Sequence, residues 1–131
     1  MKVTESDINK LQKAVYDGNL SFVKEFVKQF GTFSLFQEYY KYGQQSLYPD
    51  MYRYYLIHIA IDNHDQKMLA YFKEVNFSPM VSYSIDTNFN SRADQFLNHE
   101  TIDLITYAQN RKCSKNTIQF IINWIHEYTN I

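Results

Sequence analysis

At 131 residues, the chain has the length of a single domain, enough to bury roughly 65–70% of the surface that an unfolded chain exposes. Its 13 lysines and arginines stand against 14 acids, and neither sign is gathered into a block; this excludes the concentrated positive field that a phosphate backbone requires, so nucleic acid is not an expected partner. A single cysteine, Cys113, rules out an internal disulfide framework, and no stretch approaches the roughly 18 consecutive apolar residues of a spanning helix.

The opening residues, MKVTESDINKLQK, lack the unbroken apolar run of a secretory signal. The chain is therefore expected to be cytoplasmic and free of membrane. Ile8, Leu11, Ala14 and Val15 fall on one face of a first helix that Thr4 or Ser6 can cap and Gly18 can stop. Phe22, Val23, Phe26, Val27 and Phe30 form the stripe of a second helix closed by Gly31, so the two make an antiparallel pair.

Ser34 can start a third helix through Leu35, Phe36, Tyr39 and Tyr40, ending at Gly43. Pro49 suits the first turn of a fourth, in which Met51, Tyr54, Tyr55, His58 and Ile61 recur at three and four, to about Asn63. Met68, Leu69, Phe72 and Val75 predict the next helix, and Asn76 with Pro79 marks its end. Residues 77–98 are polar and rich in Asn and Ser, a long loop with room for a short hairpin. A helix from about His99 to Asn110, a turn at RKCSKN and a last helix through Ile118, Ile121, Ile122, Ile125 and Tyr128 complete an all-α expectation for one domain over residues 1–131.

Three helical pairs prompt a search for internal repeats. Aligning LQKAVYDGNLSFVKEFVKQFG from Leu11 with IHIAIDNHDQKMLAYFKEVN from Ile57 matches Ala14 with Ala60, Gly18 with His64 and Val23 with Leu69. This resembles the ankyrin repeat: Ile57, His58, Ile59 and Ala60 correspond to the family's LHLA portion. His64 and Asn76 stand where the family uses glycine, and His and Asn are among the non-glycine types that tolerate positive φ. The spacing between units exceeds the family's unit of about 33 residues, so the connections between pairs are enlarged. The resemblance implies a stack of antiparallel helical hairpins that binds other proteins.

The most enzyme-like string is HIAIDNHD, with His58, Asp62, His64 and Asp65, to which His99 and Glu100 can be added. It resembles the metal-binding phosphohydrolases named for a His-Asp dyad. The ankyrin resemblance already accounts for His58, and His64 falls in a turn, so no metal, cofactor or catalytic residue is expected. Cys113 lies among Arg111, Lys112 and Lys115 without a histidine near in sequence, the pattern of a turn rather than of a nucleophile.

What remains is the segment FQEYYKYGQQSLYPDMYRYY, which holds seven of the 12 tyrosines. Tyrosine offers a large, rigid contact area with a polar handle, and Met and Arg share its preference for interfaces. Tyr39, Tyr40 and Tyr55 share stripes with apolar residues and are expected in the core. Tyr42, Tyr48, Asp50, Tyr52, Arg53 and Tyr54 are the expected partner-binding residues. The function expected is non-enzymatic: a monomer when free that occludes an effector, toxin or defence protein, as an immunity or antitoxin protein or a defence antagonist does. A dyad-type phosphohydrolase and a structural subunit of a larger assembly are the competing classes.

Overall fold

The computed structural model describes residues 2–43 and 49–130. Among them, α1 (Glu5–Tyr16) and α2 (Leu20–Phe30) form a helical pair, followed by the single turn α3 (Phe33–Phe36). Strands β1 (Tyr39–Tyr42) and β2 (Met51–Tyr54) lead into a second pair, α4 (Leu56–Asp62) and α5 (Gln66–Glu74). A long hairpin, β3 (Tyr83–Asn90) and β4 (Gln95–Ile102), then leads into α6 (Leu104–Asn110) and α7 (Lys115–Thr129).

α1, α2, α5, α6 and α7 each begin where a short polar side chain accepts a bond from a free N–H. Thr4 caps α1 in a reciprocal box with Asp7, Asn19 accepts from the Phe22 N–H, Asp65 from Met68, Asp103 from Thr106 and Ser114 from Thr117. Such a cap stabilises by about 1 kcal/mol. Within each pair the turn reverses through one left-handed residue: Gly18 at φ 73°, His64 at 54° and Lys112 at 58°. Asn76, at φ 64°, closes α5 in the same way.

The first helices of the pairs pack in series, α1 on α4 and α4 on α6. Ala14, Ala60 and Ala108 are all buried along that row, where a small side chain permits close approach. Leu11, Val15, Leu56, Ile57, Ile61, Met68, Leu69, Phe72, Leu104 and Ile121 fill one continuous core, each worth ~1.5–3 kcal/mol on burial. The turns are stitched together by polar bonds. Asn63 Nδ2 donates to the Tyr16 carbonyl at 2.6 Å, and Gln66 Nε2 donates to Thr117 Oγ1 at 2.7 Å.

The connections between pairs are not helical. β1 to β4 make one four-stranded antiparallel sheet in the order β1-β2-β3-β4, with Tyr39 opposite Tyr54, Tyr52 opposite Ile85 and Ser84 opposite Thr101. The protein is therefore α+β, which corrects the all-α expectation. The ankyrin resemblance falls with it, because a purely helical stack has no place for this sheet.

The physical reason lies in short aromatic segments. Met51, Tyr54, Tyr55 and His58 satisfy a helical spacing, but Met51–Tyr54 also alternates, and aromatic residues favour strands when partners are available on both sides. Pairing with β1 and β3 decides for the strand, and α4 starts only at Leu56. In the same way the expected third helix stops at Phe36, and the helix expected from His99 gives way to β4 as far as Ile102. Within 77–98, residues 83–90 and 95–98 are strand, and Tyr83 and Ile85, two residues apart, pack toward the core.

Candidate functional site

Strand alternation sorts the side chains of the sheet onto two faces. Tyr39, Lys41, Tyr52, Tyr54, Tyr83 and Ile85 lie on the inner face, toward the helices. The rings of Tyr39 and Tyr54 are 5.9 Å apart, those of Tyr52 and Tyr83 6.3 Å, and Tyr83 reaches His58 of α4 and Tyr107 of α6 at 5.5 and 5.0 Å. Tyr40, Tyr42, Met51, Arg53, Ser84, Asp86 and His99 lie on the outer face.

On that outer face Tyr40 and Tyr42 are 65% and 55% exposed. Their rings meet edge to face at 5.8 Å, a geometry that aromatic quadrupoles favour. With Glu38, Met51 and Arg53 they border a groove of about 270 Å³. One of its residues, Arg53, joins a polar cluster on the same face. Asp86, only 5% exposed, hydrogen-bonds His99 Nδ1 and lies 3.7 Å from Arg53 Nε, so three strands are tied across the face.

The inner face meets the helices at a second, smaller cleft of about 170 Å³, lined by Tyr54, His58, Asp62, Tyr83, Tyr107 and Lys41 among others. His58 is 1% exposed. Its Nδ1 accepts the Tyr55 N–H at 2.8 Å, which satisfies the first free donor of α4 and leaves the proton of the neutral ring on Nε2. That Nε2 is buried and has no hydrogen-bond partner, a cost of about 1–3 kcal/mol in general. Burial depresses the His58 pKa to about 4.

Beside it, Tyr107 donates to Asp62 Oδ1 at 2.7 Å, and Arg111 Nε stands 2.9 Å from the same oxygen. Burial, and then the Asp62 bond, push the Tyr107 hydroxyl well above the usual phenol range. The guanidinium lies over the Tyr107 ring at 4.7 Å, so the Asp62 charge is already matched.

The expected partner-binding residues are thus divided. Tyr42 and Arg53 share the outer groove. Tyr52 and Tyr54 are half-buried on the inner face, and Asp50 sits in the hairpin connection, where its carbonyl accepts the Gly43 N–H at 2.8 Å. Tyr48 lies outside the described residues. Tyr40, expected in the core with Tyr39 and Tyr55, is instead exposed, and those two are half-buried. Asp86 and His99 entered no sequence-based interface, although the alternation of SYSIDTNF held the signal for Asp86.

The residues of HIAIDNHD diverge. His58 is buried, Asp62 faces Arg111, His64 is exposed in its turn and Asp65 caps α5. His99 and Glu100 point to opposite faces of β4. Among the described residues no three His, Cys, Asp or Glu side chains converge to hold a metal ion. Cys113 is buried, with Sγ 3.6 Å from the Ile61 carbonyl, and burial pushes its thiol up rather than letting nearby cations pull it down. Among the described residues no helix is long and apolar enough to cross a membrane. No protein-family model matches this chain, and no curated protein or solved structure shows significant similarity to it, so the ankyrin resemblance has no support there either.

Proposed function

We propose that this protein acts by binding another protein through the outer face of its sheet, and that it works in the cytoplasm as an occluding inhibitor of the immunity, antitoxin or defence-antagonist kind. The observation that carries this reading is the Tyr40–Tyr42 pair. Two large aromatic side chains are held on β1 at 65% and 55% exposure, beside Met51 and Arg53 of β2, and none of the described residues covers them. Such side chains lose little entropy on docking, and the few residues that dominate binding energy are typically Tyr, Trp and Arg.

The groove they border is shallow and suits a protein surface better than an enclosed substrate. Arg53 adds a directional group whose charge is only partly met by Asp86 at 3.7 Å. Capture from the native cell with the intact protein and with a Tyr40→Ala/Tyr42→Ala variant tests the proposal. The variant is expected to lose its partner while keeping its circular dichroism spectrum and melting temperature. Capture retained by a folded double variant moves the interface elsewhere.

A further inference from the structure

We propose that the free edge of β4 is a self-association surface, on which β4 of a second copy of this chain pairs antiparallel about a two-fold axis at His99. The sheet ends at this strand, which pairs with β3 on one side and with no strand on the other. Among the described residues, no turn, helix end or side chain bonds its outward N–H and C=O groups.

The two edges of the sheet are not alike. Natural sheets blunt an edge by shortness, lysine, proline or a covering element. β1 is four residues long and carries Lys41, whereas β4 runs for eight, Gln95–Ile102, without lysine, arginine, proline or glycine. No residue of β4 has a positive φ, so its alternation is unbroken, and Leu97 is 60% exposed on it. On the inner face Asn98 and Glu100 are exposed as well. No helix of this chain therefore stands under the middle of the strand to obstruct a neighbour.

β4 also complements itself. A two-fold axis that continues the sheet keeps its two faces, so only residues of the same face can stand opposite each other, and the axis passes through one residue and its copy. With the axis at His99, Phe96 meets Ile102 of the second copy, Leu97 meets its Thr101, and Asn98 meets its Glu100, an amide against a carboxylate. An axis at Asn98 sets Phe96 against a carboxylate, and one at Glu100 sets two carboxylates face to face. Each His99 ring is held by Asp86 of its own chain, so a charged ring brings its counter-charge to the axis.

The product is an eight-stranded sheet that carries two outer grooves on one face. β1 takes no part in this pairing, so the inference stands or falls independently of the proposed outer interface.

Sedimentation of the full chain between about 10 µM and about 1 mM tests the proposal, a range suited to a small interface. A reversible monomer-to-dimer equilibrium is expected, with slower amide exchange in β4 at the high end. By symmetry a substitution at Asn98 acts twice. Asn98→Lys is expected to tighten the dimer roughly fivefold, and Asn98→Glu to weaken it roughly fivefold. Shifts of opposite sign at one exposed position separate pairing from misfolding, and amide spectra of the dilute variants check the fold. The proposal is overturned if the chain stays monomeric throughout, or if the two substitutions leave the equilibrium unchanged or move it in the same direction. Protection of β4 gained only in cell extract, without a dimer, gives the edge to a different protein and overturns it equally.

Discussion

The two faces of one small sheet put the same residue type to opposite uses. Tyr39, Tyr52, Tyr54 and Tyr83 face the helices and stack against one another, His58 and Tyr107, whereas Tyr40 and Tyr42, adjacent in sequence, stand in solvent. Composition cannot distinguish the two sets. A strand turns successive side chains to opposite sides, so a one-residue step converts a core aromatic into an exposed one.

The largest expected effect tests the inner face. Tyr83 is 7% exposed and touches Tyr52, His58 and Tyr107, so Tyr83→Ala is expected to destabilise by about 3–5 kcal/mol, the range for buried aromatics, in urea unfolding. A loss below about 1 kcal/mol would break the contrast, since that is the scale of ordinary surface positions.

The second effect is electrostatic and comes from the same face. The native state holds the His58 pKa at about 4, below the ordinary 6.5, so the unfolded chain takes up a proton more readily than the folded one. This contribution is fully present above pH 6.5 and is lost as pH falls through 4; the shift corresponds to roughly 3 kcal/mol. Unfolding free energies measured across that window are expected to drop steeply for the parent chain and less steeply for His58→Phe. Parallel curves would show that His58 is not the group responsible.

The smallest effect belongs to the outer face. Tyr40→Ala and Tyr42→Ala are each expected to change stability by no more than about 0.5 kcal/mol, as exposed positions usually do. A larger loss in either would mean that the pair supports the fold, and its place in the proposed interface would weaken accordingly.

Much of the helical framework was legible. Leu11, Ala14 and Val15 of α1, Met68, Leu69 and Phe72 of α5, and Ile121 of α7 are buried on the stripes that their spacing marks. Gly18, His64 and Asn76 take the left-handed conformation that their positions require. Of the sheet, the β3–β4 hairpin falls largely within 77–98, where a short hairpin had room; β1 and β2 were not legible, because Tyr39–Tyr42 and Met51–Tyr54 are each four residues long, too short for a period of two to be told from one of 3.6. Of the candidate partner-binding residues, residue type could not assign a face: Tyr42 and Arg53 lie on the outer face of the sheet, Tyr52 and Tyr54 on the inner one.

The sequence by itself determined the start of α1, the turns within the helical pairs and the apolar stripes of the helices, since each depends on residues within a few positions of one another. Only the tertiary structure decided the rest. Strand pairing brings Tyr54 beside Tyr39 and Ser84 beside Arg53, and the packing of the inner face on α4 and α6 buries His58 with one nitrogen bonded and the other free. These are contacts between residues far apart in the chain, and a strand acquires its inner and outer faces only when its neighbours are in place.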